Sequence, residues 1–495
     1  MKQLDRFKDR MFFIKLLTGL ICLLSGAVSG FTQTVPSAPC GDIWGSKDEA
    51  KNIQKAMLEG TEQDVINAIN LAKQTRGNRV GCSETAYIYD KPNFADPDLN
   101  ELIRVWQSTH APQIVNYKIG CPTAARNWGY FALGGYYARL AGQMVDEKGL
   151  QNIARLLEAT QYKDENAPFP PDRTPGLFGY IAVNPDDSCF DKTNIAGTPL
   201  GEIITKFCND RTLPCATFDK GLFAGKRFVI ADTEPKNNMY DGGAAYDHAV
   251  ASVMMIEASL QLNDPTSKKL FRESALLAGD WAIAEPPVRN HNYTAKLIWL
   301  LAELYGLTGQ AKYKNAMLDK LNRNLKPGVL MDFNNDGKVD GMKNQSFLEL
   351  TPAAQKPGRI WDGHNARPTY HAMNSWALVE AYVALRDRGD KKEAAKVKPY
   401  MLAMLDNISW ETNNLGVPNS GRTQTPYALL LALWKVAAVE KTPQPEWEKA
   451  LRAYWNTGVM RMTDANNNSE GSLNTGLFLL YKSGVKYIPL SKRNR

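Results

Sequence analysis

From residue 246 to its end the chain repeats one two-part pattern, and that repeat limits what it can fold into. A run that is apolar nearly all round comes first, and a run with its charges on one face follows. YDHAVASVMMIEASLQL precedes SKKLFRESALLAGDWAI, and YTAKLIWLLAELYGLTG precedes AKYKNAMLDKLNRNL. YHAMNSWALVEAYVALRD precedes KKEAAKVKPYMLAML, and YALLLALWKVAAVE precedes PEWEKALRAYW, with SLNTGLFLLYKSG closing the series. A helix apolar on every side must be buried on every side, whereas a one-faced helix covers a core and meets water. An inner and an outer ring of helical hairpins meet both demands, so the pattern predicts an all-α fold, an (α/α) toroid of about six hairpins.

The amino-terminal half carries the same theme less clearly, in EAKNIQKAMLEG with EQDVINAINLAKQTR, then LNELIRVWQST, then NWGYFALGGYYARLAGQMV with GLQNIARLLEATQ. From about residue 166 to 238 the composition turns to Pro, Gly, Asp and Cys, which predicts a long loop-rich insertion over one mouth of the toroid. The chain of 495 residues shows no linker or low-complexity tract, so residues 30–495 are expected to form one domain.

Residues 1–29 read as a signal peptide. Lys2, Arg6, Lys8, Arg10 and Lys15 precede an apolar run from Leu16 to Val28, with Ala27 and Ser29 at a small-residue cleavage site. That run is short for a membrane span, and no later segment is long and apolar enough for one. Beyond Cys22 six cysteines remain, Cys40, Cys82, Cys121, Cys189, Cys208 and Cys215. In an oxidising compartment an even set predicts disulfides tying the insertion, with Cys208 and Cys215 the nearest pair. No CxxC and no histidine at ligand spacing supports zinc instead. An exported protein, periplasmic or secreted, follows.

Net charge is +7, and the first 29 residues hold five basic and two acidic ones, leaving about +4 for the rest. A mildly basic surface suits an acidic polysaccharide. Nothing resembles a nucleic-acid module, since no basic stripe with interleaved aromatics is present.

Polar residues cluster where inner helices begin. Arg289-Asn290-His291-Asn292-Tyr293 opens one, and Arg367-Pro368-Thr369-Tyr370-His371 opens another. Abstraction of a proton next to a carboxylate needs a partner for that carboxylate, a base, and an acid for the leaving oxygen. Asn, Arg, His and Tyr supply these without a carboxylate pair. Tyr240-Asp241-Gly242-Gly243 with Tyr246-Asp247-His248 adds a third cluster, in which the aspartates can cap helices and His248 can face a substrate. Four of the five histidines, His248, His291, His364 and His371, sit at or just before inner-helix starts, so they can converge on one cleft. Tyr246, Tyr293 and Trp361 are candidates to stack on sugar rings.

The two motifs resemble those of toroidal alginate lyases, which carry Asn-Asn-His-Ser-Tyr at one inner helix and an Arg followed closely by Tyr-His-Asn at a later one. Here Arg289 stands for the first Asn, Asn292 for the Ser, and no Asn directly follows His371. The resemblance implies that Asn290 and His291 flank a uronate carboxylate, that Arg367 helps to bind it, and that Tyr370 acts at the scissile bond. Other uronate lyases, glucuronan-directed ones among them, share the toroid. The expectation is β-elimination on an alginate- or glucuronan-like polymer with no cofactor required for catalysis.

Two other classes fit parts of the sequence. An inverting glycoside hydrolase needs two carboxyls about 6.5–9.5 Å apart, which Asp362 with Asp241 or Asp247 can provide. A non-catalytic glycan-binding protein needs only the aromatics. Asp332, Asn334, Asp336, Lys338 (through its carbonyl) and Asp340 match the first nine positions of a calcium loop, with Gly337 at the turn. The twelfth position is Lys343, so the last carboxylate ligand must come from elsewhere, such as Glu349. A structural Ca²⁺ is expected there.

Overall fold

The computed structural model describes residues 33–35, 55–56, 59–76, 87–115, 125–159, 161, 163, 175–178, 181–182, 215–217, 227–229, 243–285, 291–326, 368–418, 424–461 and 468–493. These residues are predominantly helical, as the repeat predicts. The helices are α1 (Glu62–Arg76), α2 (Leu99–Val105, continued through Trp106–His110 to Ala111–Val115), α3 (Ala125–Leu140) and α4 (Glu147–Ala159). Next come α5 (Gly243–Gln261), α6 (Pro265–Ala284), α7 (His291–Thr308), α8 (Ala311–Lys320, continued by Leu321–Leu325), α9 (Pro368–Asp387) and α10 (Lys391–Asn414). The last are α11 (Thr425–Leu431, continued to Ala437–Glu440), α12 (Pro445–Asn456), α13 (Asn468–Lys482) and α14 (Leu490–Arg493).

The apolar helices pack in a cyclic order. Helix α3 packs on α5, α5 on α7, α7 on α9, α9 on α11, α11 on α13, and α13 returns to α3. Each also packs on a one-faced helix outside it: α4 on α3, α6 on α5, α8 on α7, α10 on α9, α12 on α11 and α2 on α13. Burial explains the sorting. In α7 every residue from Ala295 to Leu307 is buried, while α4 buries Leu150, Ile153, Leu156 and Leu157 along one stripe. None of the helices described is long and apolar enough to cross a membrane.

The tightest joint is between α3 and α13. A Cβ on Gly134 would stand 2.3 Å from the Ser472 carbonyl oxygen, and one on Gly476 would stand 2.1 Å from that of Gly134. Two backbones meet where neither has a side chain to interpose. Gly134→Ala adds one methyl against a backbone that cannot yield alone, so it is expected to lower stability by about 1–3 kcal/mol despite alanine's better helix propensity. Chemical denaturation measures it, and an unchanged midpoint would show that the joint is loose.

Strands are few and short. β1 (Gln33–Val35), β2 (Tyr87–Asp90) and β6 (Val417–Pro418) form an antiparallel sheet with β2 central. β3 (Ile181–Ala182), β4 (Cys215–Thr217) and β5 (Arg227–Val229) form another, in the order β3-β5-β4, within the stretch expected to be loop-rich. Of the six cysteines, Cys215 lies in β4, and Cys40, Cys82, Cys121, Cys189 and Cys208 lie outside the described residues.

The first sheet is fastened to the helices by Tyr89, whose hydroxyl donates to Glu411 Oε1 at 2.6 Å, at the end of α10. Burial pushes the Glu411 carboxyl up to about 7, against the hydrogen bond from Tyr89. A carboxyl raised in the folded state holds its proton where the unfolded chain has already lost it. Stability is therefore expected to fall as pH rises from about 4.5 to about 7, by roughly 3 kcal/mol at 1.36 kcal/mol per unit, and to level off above. Glu411→Gln should flatten this segment of the stability–pH curve; a variant curve parallel to the parent's would assign the dependence to another group.

Candidate active site at the amino-terminal ends of the inner helices

Aromatic contacts near their amino-terminal ends bring together five of the six apolar helices, α3, α5, α7, α9 and α11. Tyr130 of α3 lies against Tyr246 of α5 and Trp376 of α9, with ring centroids 6.3 and 6.4 Å apart, both edge to face. Tyr246 meets Tyr293 of α7 at 6.0 Å, and Trp376 meets Tyr427 of α11 at 4.7 Å. Orphan N–H groups and aligned peptide dipoles make such an end electropositive.

Two cations sharpen this. Lys296 of α7 is fully buried, its ammonium 3.1 Å from the ring centroid of Trp376, 4.6 Å from that of Tyr246, and 5.6 Å from those of Tyr130 and Trp299. Its Nζ donates to the Tyr130 hydroxyl at 3.0 Å, and that hydroxyl lies 2.8 Å from the hydroxyl of Tyr246. Desolvation drives the lysine pKa well below its usual value, although the field of Glu470 opposes it. Arg126 of α3 reaches solvent, its side chain 39% exposed and its guanidinium 5.0 Å from the Tyr246 centroid.

The carboxyls at this end are already engaged. Asp247 accepts the Arg126 backbone N–H at 3.0 Å and pairs with its guanidinium at 3.7 Å, so it caps the first turn of the neighbouring helix. Burial raises the Asp247 pKa and Arg126 pulls it back. Glu470, in the first turn of α13, accepts from the Gln424 side-chain amide. Among the described residues these are the carboxyls in the first two turns of the inner helices.

The histidines do not converge. His248 is fully buried; it accepts the Phe178 N–H at Nδ1 (3.3 Å) and donates from Nε2 to the Ala278 carbonyl of α6 (2.9 Å), with its ring 4.3 Å from that of Trp281. His371 donates from Nε2 to the Met404 carbonyl of α10 at 3.2 Å. His291 Nδ1 lies 2.9 Å from Asn324 Oδ1, at the end of α8. Burial depresses all three, His248 to about 3 and His291 and His371 to about 4, so each is neutral at pH 7. Each is turned to its own outer helix. The expectation that His248 and His371 share a cleft is thereby corrected, and neither a charged His291 nor a charged His371 is at hand to hold a carboxylate or to favour a phenolate at Tyr370.

Of the other residues singled out in the sequence, Tyr246 and Tyr293 are brought together, and Tyr370 is half-buried in the first turn of α9 against the core. Tyr427 is fully buried, within hydrogen-bond distance (3.1 Å) of the Tyr137 hydroxyl, which makes it a packing residue. Asn290, Trp361, Asp362, His364 and Arg367 lie outside the described residues, as do Asp332, Asn334, Asp336, Lys338 and Asp340 of the calcium loop. Among the described residues no cluster of three or more metal-ligating side chains occurs.

Sequence inspection missed Arg126, Tyr130, Lys296 and Glu470. Lys296 had a signal available: it is one of two charges, with Glu303, in the otherwise apolar run YTAKLIWLLAELYG, where a lysine is costly to bury and therefore serves a purpose. Compared with protein-family models, with curated proteins and with solved structures, the chain matches none.

Proposed function

We propose that this protein is an exported polysaccharide lyase, built as an (α/α) toroid, that cleaves a uronate-containing, alginate- or glucuronan-like polymer by β-elimination. The observation that carries the reading is the gathering of phenols and cations, Tyr130, Tyr246 and Tyr293 with Lys296 and Arg126, at the electropositive ends of the inner helices. A polyanion is drawn to such an end. The cyclic packing order supports the toroid, and the export signal and the Ca²⁺ loop remain readings of sequence.

In this account Asn290 and Arg367 meet the uronate carboxylate, with Arg126 close enough to the same opening to share its charge. Neutralising that carboxylate lowers the barrier to forming a carbanion beside it. The C5 proton goes to Tyr370, which reaches solvent where fully buried His291 does not. His291, neutral and turned to Asn324 of α8, takes no direct part in holding the carboxylate. A hydrolase on the same scaffold would draw on Asp362 together with Asp247 or Glu470; Asp247 is spoken for by Arg126 and a backbone N–H, which weighs against it.

Incubation with alginate, glucuronan, pectate and glycosaminoglycans, followed by ultraviolet absorbance and reducing-end assay, tests the reading. Elimination produces a conjugated unsaturated uronate that absorbs; new reducing ends without absorbance would mean hydrolysis, and neither signal would mean that the protein cleaves none of these polymers.

A further inference from the structure

We propose that Lys296, Tyr130 and Tyr246 form a proton-delivery chain, and that Tyr246 hands the proton to the departing glycosidic oxygen. The proposal rests on the lyase reading above, and it gives the acid role to a tyrosine that lies in neither motif of the resemblance.

Three consecutive members of the inner ring, α7, α3 and α5, each contribute one link. The direction of the chain follows from what each group can do. An ammonium has only hydrogens to offer. At 3.0 Å from the Tyr130 oxygen it must donate. Tyr130, having accepted there, turns its own hydrogen to Tyr246, whose oxygen is 2.8 Å away. The Tyr246 oxygen is then an acceptor on that side, and its hydrogen is directed away from the pair. Tyr246 is itself only 4% exposed, and the partly exposed Arg126 lies over its ring.

A structural role explains this lysine poorly. Lys296 is fully buried, and among the described residues no carboxylate forms an ion pair with it. Methionine or leucine would fill the space between Tyr130, Tyr246, Trp299 and Trp376 without any desolvation cost. What lysine adds is a transferable proton, and burial makes the ammonium readier to release it. Among the described residues the charged groups around the chain are Arg126, Asp247 and Glu470. Burial and the field of Glu470 resist ionisation of Tyr246, while Arg126 and the Tyr130 hydrogen bond favour it. Tyr130, whose pKa burial lifts far above the ordinary phenol value, conducts by accepting one proton as it gives up another.

The step balances. The C5–H electron pair becomes the C4–C5 double bond as Tyr370, which must enter the step as its phenolate, takes the proton. The C4–O bond breaks with its pair on oxygen, and that oxygen takes the Tyr246 hydrogen. The Tyr130 hydrogen moves to Tyr246, and one Lys296 hydrogen moves to Tyr130, leaving a neutral amine. Solvent reprotonates the lysine and removes the proton from Tyr370.

Three variants and two measurements test the chain in the full-length protein. Tyr246→Phe removes one hydroxyl and is expected to lower kcat about 10²–10⁴-fold on whichever polymer the parent eliminates. Tyr130→Phe and Lys296→Met keep Tyr246 and should lose less, but the alkaline limb of the kcat–pH profile, set in the parent by the lysine, should move to higher pH. Normal turnover by Tyr246→Phe, or a Lys296→Met profile with an unmoved limb, would overturn the proposal. The second measurement needs no substrate. In protein carrying isotope-labelled lysine, the Lys296 resonance, assigned by its loss in Lys296→Met, should titrate at a different pH in Tyr130→Phe and in Tyr246→Phe than in the parent. Should the parent eliminate no polymer, the lyase reading fails alone, and a Lys296 titration identical in all three proteins ends the chain independently.

Discussion

Lys435→Met is expected to destabilise the fold by roughly 3–5 kcal/mol at pH 8, the range for removing one partner of a buried ion pair. Its ammonium sits in the carboxyl-terminal half of the inner ring, 2.9 Å from Glu303 Oε1 and 2.8 and 2.7 Å from the two oxygens of Glu380. The three side chains are 6, 6 and 4% exposed, so water cannot take over for a lost partner. Burial works against the ammonium, but Glu303 and Glu380 together outweigh it and hold its pKa well above the usual lysine value. Burial and then repulsion from Glu303 push Glu380 well above the ordinary carboxyl range, and Lys435 pulls it back. Without the lysine Glu380 loses the cation that opposes its raised pKa. Because its folded pKa would then lie still further above the unfolded one, the loss should grow as pH rises above about 4.5 and shrink on acidification. Denaturant midpoints at pH 5 and pH 8 measure this. Adding Glu380→Gln should restore part of the stability at pH 8, and a single variant as stable as its parent at both pH values would show that the carboxyls find other partners.

That cluster also marks where the sequence stops being legible. The apolar helices are plain as runs, and each one-faced run that follows packs on the apolar helix before it. Their starts are misplaced by two or three residues, since α5, α7, α9 and α11 begin at Gly243, His291, Pro368 and Thr425, ahead of each marker tyrosine. Pro368 and Pro426 account for two of these, because proline's fixed φ suits a first turn. The histidines were harder. On a helix each residue turns about 100°, so His371 faces roughly a quarter-turn from Tyr370, and His248 and His291 face nearly half a turn from Tyr246 and Tyr293. Neighbours in a motif cannot share one cleft once the motif lies inside a helix. The tyrosines face their neighbours in the inner ring and the histidines face outward. Glu303, Glu380 and Lys435 read singly as blemishes in apolar runs; their neutralisation depends on three helices meeting, which periodicity within any one of them does not reveal.

Tyr370→Phe is expected to cost about 10²–10⁴ in kcat, the size of a general acid–base contribution, with little loss of stability. The side chain is half-buried against the core, and the substitution keeps its ring. Arg367→Ala and Asn290→Ala should be comparably severe, because the carboxylate would keep its full charge while a carbanion forms beside it. Asp362→Asn separates the two chemistries. Elimination has no task for that carboxyl, so the loss should be small, whereas an inverting hydrolase needs a carboxylic acid on the leaving oxygen and would be abolished. Asp247→Asn is a less clean probe, since Asp247 also holds the Arg126 backbone and guanidinium and would disturb the opening either way. A Tyr370→Phe protein with near-normal turnover, beside an Asp362→Asn protein with none, would transfer the activity from elimination to hydrolysis. Unsaturated product from the parent, lost in Tyr370→Phe and kept in Asp362→Asn, is the expected result.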